Sequence, residues 1–144
     1  MRISTGLLMA VLFAVAGCTS IFTDPLDRRG KFEDTQEQFT QYMRWGKFEE
    51  ASRYVDPALR AQFMAFSPEL SDLRFSDYEI TRVDIGEELL NASVEVRFTG
   101  YRLSMPVERS VNLVEEWTRD EETGVWTVKL DMEKLRNGLI RGMR

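Results

Sequence analysis

The stretch from Leu90 to Thr99 alternates without a fault. Leu90, Ala92, Val94, Val96 and Phe98 are apolar, and Asn91, Ser93, Glu95, Arg97 and Thr99 between them are polar or charged. Successive side chains of a strand point to opposite faces, so this pattern demands a sheet with one face buried and the other in water. An apolar layer has to cover the buried face, and the rest of the chain must supply it.

The segments around this strand carry the same period of two. Tyr78 and Ile80 alternate with polar residues, and Val83 and Ile85 continue on the opposite parity, which places a bulge near Thr81-Arg82. Asp84 to Glu88, with Gly86, forms the turn into the alternating strand. Past Gly100 the parity flips again to Tyr101, Leu103 and Met105, as a bend in a long strand requires. A third strand is expected from about Val107 to Arg119, with Val111, Leu113 and Trp117 on one face. Asp120 to Gly124 is a hairpin loop, and Trp126, Val128 and Leu130 make a fourth strand ending near Asp131. The acidic run Asp120 to Glu122 reads as a solvated loop, since adjacent carboxylates on one tight turn do not converge on a cation without further ligands. Met132 to Arg144 reads as a short helical turn or a frayed tail.

Before Leu73 the spacing is helical. A first helix is expected from Phe32, with an acid three residues after Asp34 as in a capping box, and with Phe39, Tyr42 and Met43 on one face. Gly46 breaks it. Phe48, Ala51 and Val55 restart the period, Asp56-Pro57 caps and opens a third helix carrying Leu59, Phe63 and Phe66, and Ser67-Pro68 ends it. Helices first, then four meandering strands, predict an α+β domain in which N-terminal helices pack on a curved four-stranded antiparallel sheet. At 144 residues, 43% hydrophobic and 30% charged, the chain suits one globular domain, placed at residues 31–144.

Residues 1–17 have a different character. Arg2 is followed by an unbroken apolar run from Leu7 to Ala16, which as a helix is about 15 Å long, half of a roughly 30 Å hydrocarbon core. It fits a signal-peptide core better than a membrane span. Val15-Ala16-Gly17-Cys18 resembles the bacterial lipoprotein lipobox, in which small residues precede an obligatory Cys. The resemblance implies cleavage before Cys18, a diacylglyceryl thioether on its sulfur and a fatty acyl group on its new amino terminus. Two or three acyl chains hold a protein stably where one is marginal. Residues 18–30, with Asp24-Pro25 and Arg28-Arg29, then serve as a lipidated tether. Thr19 stands where an Asp would retain a lipoprotein in the inner membrane, so in a Gram-negative cell the resemblance points to the periplasmic leaflet of the outer membrane.

The helix-then-meander order, with the Trp-Gly-Lys-Phe-Glu-Glu-Ala stretch from Trp45 to Ala51, resembles the cystatin/nuclear-transport-factor-2-like superfamily over roughly Phe32 to Asp131. That resemblance implies a sheet curled round the long helix and a pocket between them, with the curl at Thr81-Arg82 and Gly100. Some members are isomerases and dehydratases that use a buried Asp or His.

This chain has no His and a single Cys, which removes the commonest acid/base group and any internal disulfide. Lys and Arg number 19 against 24 Asp and Glu, a net charge of −5, which argues against nucleic-acid partners. No Gly-rich phosphate loop, zinc-type Cys/His cluster or Gly-x-Ser-x-Gly turn is present, so no cofactor, metal ligand or catalytic residue is assigned. Glu115 shares the parity of Leu113 and Trp117, with Arg109 two residues before Val111, so these two form a candidate inward pair, although with Arg109 at the strand's entry and Glu116 beside Glu115 the favoured expectation is that both are solvated at a bulge or sheet edge. Tyr78, Tyr101, Trp117 and Trp126 are candidate pocket walls, although aromatics at strand spacing more often fill a core.

The leading expectation is a non-enzymatic, lipid-anchored envelope protein that binds a partner protein or a small apolar ligand. A pocket enzyme of isomerase or dehydratase type using Glu115 or Asp77, and a structural accessory of an envelope complex, are the alternatives. Cys18→Ala should abolish incorporation of a labelled fatty acid and either release the chain or leave the precursor uncut. Membrane retention with normal processing would refute the lipobox reading.

Overall fold

The long alternating segments form one antiparallel sheet, whose strands are neighbours in the order in which they occur along the chain. The computed structural model describes residues 27–141; Val15, Ala16, Gly17 and Cys18 lie outside the described residues. Strand β1 spans Leu73–Ile85, β2 Asn91–Arg102, β3 Met105–Arg119 and β4 Trp126–Leu130. Ahead of them come α1 (Arg28–Arg44), α2 (Phe48–Ser52), α3 (Arg60–Ala65) and α4 (Ser67–Leu70), and behind them α5 (Met132–Leu135), which runs into a π-helical turn over Arg136–Arg141. This is the expected α+β class, with helices preceding a four-stranded antiparallel sheet.

The parity changes read from the sequence correspond to breaks in register. The β1–β2 ladder shifts between Phe75 and Asp77 and again between Ile80 and Arg82, leaving Thr81 as the extra residue. The Thr81 hydroxyl donates to the Glu95 carbonyl at 3.1 Å and so recovers one bond that the bulge forfeits. A second break falls between Gly100 and Arg102 in the β2–β3 ladder. At Gly100 the neighbouring strand comes so close that a Cβ would stand 2.6 Å from the Arg74 carbonyl oxygen.

The inner face of the sheet is paired Val94, Val96, Phe98, Val111, Leu113 and Trp117, all buried. Helix α1 lies on it through Phe32, Gln36, Phe39, Thr40 and Met43. The outer face is wet and polar: Arg97 bonds Glu79 at 2.9 Å and Asn112 at 3.2 Å, and the Thr99 and Ser110 hydroxyls meet at 2.8 Å.

Local signals were overruled in several places. Helix α1 begins at Arg28, a turn before the expected start, because Phe32 is an inward residue wedged between Trp117 and Trp126 at 5.8 and 4.8 Å between ring centres. Asp34 therefore lies inside the helix and caps nothing, and the first helical turn takes the last residues assigned to the tether. Gly46 ends α1 as expected, with φ +68° and the Lys47 amide bonded to the Tyr42 carbonyl. Asp56-Pro57 does not open a helix. Val55 bridges Val128, and the Asp56 amide donates to the Val128 carbonyl at 3.0 Å, so this segment is spent on covering the outer edge of β4. The third helix does end at Ala65, just ahead of Ser67-Pro68, but a further short helix starts there unexpectedly, with Pro68 in the first turn of α4, where its missing N–H is no loss. Of the two readings of the C-terminal segment the helical one holds: the Asp131 carboxylate accepts the Lys134 amide at 2.9 Å, and Leu135 and Leu139 are buried in the core.

The close approach at Gly100 makes a direct prediction. Gly100→Ala should lower the urea midpoint by the equivalent of about 1–3 kcal/mol, the usual penalty for overpacking. An unchanged midpoint would show that β1 can move away from Gly100 freely.

Candidate functional site

A carboxylate lies in the middle of the apolar interior. Glu115 falls on the inward parity of β3 between Leu113 and Trp117 and is 0% exposed. Three donors reach it. Gln36 Nε2 and Trp117 Nε1 both donate to Oε2 at 3.1 Å, and Thr40 Oγ1 donates to Oε1 at 3.3 Å. Gln36 uses its second N–H on Thr40 Oγ1 at 2.9 Å, which closes the network. Gln36 and Thr40 are one helical turn apart, so α1 presents both to the sheet from the stripe that also carries Phe32, Phe39 and Met43. Around them Phe32 and Phe39 meet the Trp117 ring edge-on at 5.8 and 5.6 Å.

Burial raises the Glu115 carboxyl from its ordinary 4.5 to about 7, and the hydrogen bonds from Gln36, Trp117 and Thr40 oppose the shift without cancelling it. Among the described residues no cation is paired with it. Arg109, the expected inward partner, is six residues back on β3 and opposite Gly100, about 20 Å away at strand rise. The inward pair is therefore not formed, because shared parity places two residues on one face without bringing them together. Glu115 is not among the residues that line the cleft beside α1 described below. Asp77, the other acid considered, is exposed on β1 and accepts the Tyr78 amide at 2.9 Å.

A separate cleft of about 470 Å³ opens on the flank of α1 that faces α2 and the β3–β4 hairpin. Tyr42, Tyr54, Trp126 and Val125 supply its apolar surface, and Lys31, Arg53, Asp34 and Glu50 its charges. The Tyr42 and Tyr54 rings are 6.0 Å apart, and the Tyr54 hydroxyl donates to Gln38 Oε1 at 2.5 Å. Burial is the main reason that the Tyr54 phenol lies above its ordinary range; the nearby Tyr42 adds to this and Arg53 opposes it. Trp126 is only 4% exposed, and its indole N–H, itself buried behind the cleft wall, has no acceptor among the described residues. A buried donor left unsatisfied costs about 1–3 kcal/mol.

The expected pocket residues are thus dispersed. Trp117 belongs to the Glu115 chamber and Trp126 to the cleft. Tyr78 is half-buried over Phe98 and accepts from Gln41 Nε2 at 3.1 Å, and Tyr101 lies opposite Arg74 near the other end of β2. Gln36 and Thr40 were missed, as were Tyr42 and Tyr54 as cleft walls. The signal for the first pair was present: two polar residues four apart on an otherwise apolar helical stripe need a polar partner across the interface. In the hairpin, Asp120 turns its carboxylate inward on its own loop, accepting the amides of Glu122 and Thr123 and the Thr123 hydroxyl. Those Thr123 bonds hold its carboxyl below the usual range.

Glu115 makes stability depend on pH. The folded state holds its proton more tightly than the unfolded chain, so the contribution is complete below about pH 4.5 and is lost as pH rises to about 7. At 1.36 kcal/mol per unit this amounts to about 3 kcal/mol. Glu115→Gln places an amide oxygen where Gln36 and Trp117 donate and an NH₂ where the Thr40 hydroxyl can accept. Urea titrations of this variant should show a flatter profile from pH 4.5 to 8 and higher stability at pH 8. An unaltered slope would assign the pH dependence to other groups.

Compared with models of known protein families the chain matches none, and a search of curated proteins finds no relative.

Proposed function

We propose that the chain is a lipid-anchored protein of the bacterial cell envelope whose domain, of cystatin/nuclear-transport-factor-2-like architecture, binds a partner protein or a small apolar ligand in the cleft beside α1. The observation that carries this reading is the cleft itself, with aromatic walls and charges of both signs in its lining. Support for the anchor is the order Arg2, apolar run, small residues and Cys18. Support for the architecture is the sequence of helices followed by a four-stranded meander with register breaks at Thr81 and past Gly100.

The division of labour follows from the geometry. Glu115 is enclosed and hydrogen-bonded on every side available to it, which suits a structural post. The cleft is open, with aromatic walls and charges of both signs in its lining, which suits recognition of an apolar body that carries a polar or charged group.

The Trp126 indole N–H resonance gives a direct test. Titrating ¹⁵N-labelled protein with a panel of small aromatic and aliphatic amides and carboxylates should move that resonance downfield for the ligands that bind. Trp126→Phe, which keeps an aromatic side chain but replaces the indole with a smaller ring, should weaken those ligands about three- to tenfold through lost aromatic contact. Binding that leaves the Trp126 resonance unmoved would place the site elsewhere.

A further inference from the structure

On the opposite flank of α1 the helical layer stops short of the sheet. In the β1–β2 ladder Ile80 pairs with Val96, Val83 with Val94 and Ile85 with Ala92, so all three β1 residues belong to the inner, apolar face. Val96 and Val94 are 0% exposed, whereas Ile80 and Val83 are 41% and 47% exposed. The two salt bridges next to them confirm the assignment of faces: Arg82 meets Asp84 at 2.7 Å and Glu79 meets Arg97 at 2.9 Å, all four on the outer side. An apolar strip of β1 is therefore bare on the side that should face a second layer.

The residues overlooking this strip can be read from helix geometry. Gln41 Nε2 reaches Tyr78 and Arg44 Nη2 reaches the Ser76 carbonyl at 3.1 Å, so α1 runs antiparallel to β1. Stepping back one turn at a time from Gln41, Glu37 and Glu33 follow on the same stripe. Four helical residues advance about 6 Å and two strand residues about 6.6 Å, which brings Glu37 level with Ile80 and Glu33 close to Val83. Both are exposed. Asp84 stands at the end of the strand, and Glu87 and Glu88 are exposed in the turn beyond it. The nearby cations Arg29 and Arg82 are already paired, with Glu33 and Asp84. β1 is also an edge strand, with β2 on one side only.

We infer that this edge of β1 accepts an extended, basic segment of a partner protein as a fifth strand. Main-chain bonds form along Arg82 to Ile85, beyond the Thr81 bulge. Alternate apolar side chains of the segment cover the Ile80, Val83 and Ile85 strip, and its Lys or Arg residues meet Glu37 and the acidic turn. A second copy of this chain fits less well, because its own β1 would bring the same carboxylates to the same edge and the bulge at Thr81 interrupts a long self-paired ladder. This surface is separate from the cleft lined by Trp126, so either can fail without the other.

The test uses the full-length chain and two nine-residue peptides, one alternating Lys and Val and the other alternating Glu and Val. The Lys peptide should slow amide hydrogen exchange in β1 between Arg82 and Ile85, with affinity falling as salt is raised. The Glu peptide should not. Val83→Lys should weaken the Lys peptide about tenfold or more, Glu37→Lys about threefold, and Val107→Lys, far along the sheet, not at all. Thermal melts of the two weakened variants close to that of the parent protein would exclude unfolding as the cause. Absence of β1 protection at millimolar Lys peptide, equal binding of the Glu peptide, or β1 protection that grows with protein concentration alone would overturn the proposal, the last by placing a second copy at the edge.

Discussion

One carboxylate determines how the two layers meet. Three donors converge on Glu115, and two of them, Gln36 and Thr40, come from α1. A purely apolar interface would tolerate a helix rotated or slid by part of a turn, because hydrophobic contact is not directional. The Glu115 network does not: rotating α1 away from it would leave a buried carboxylate short of partners. With Gln36 and Thr40 fixed, Phe32 and Phe39 fall against Trp117, and the two flanks of the helix acquire their different characters. One flank faces α2 and the β3–β4 hairpin across the aromatic cleft, and the other looks over the bare strip of β1.

The network also explains why an acid occupies a position that an aliphatic residue could fill. A buried polar group that is fully partnered specifies one arrangement at some expense of stability, and the raised carboxyl of Glu115 shows that expense. Among the described residues no cation is paired with Glu115, so below neutrality the proton itself neutralises the group, and above it the donors of Gln36, Thr40 and Trp117 face the charge.

Much of the architecture was legible in the chain. The alternation from Leu90 to Thr99, the parity change at Thr81-Arg82 and the flip past Gly100 each correspond to a structural event, because in a half-buried sheet the hydrophobic pattern and the register are the same information. The helical half was less legible. Asp34 and Pro57 carry strong local signals, but each was overruled by a contact with a distant residue: Phe32 against two tryptophans, and the Asp56 amide on Val128. The site was the least legible part. Parity placed Glu115 inside correctly but suggested Arg109 as its partner, since a face is a line of positions and says nothing about distance along it. The actual partners lie 75 and 79 residues away on a helix, a separation that local spacing does not encode.

The bridge between Val55 and Val128 covers one border of the sheet with a connecting segment and leaves β1 as the other. A sheet that is closed on one side can add a strand on the other, but it cannot repeat the step head to tail, because open-ended growth needs two matching borders on every copy. A strand that joins at β1 becomes the new edge of the sheet, so each domain offers this border once.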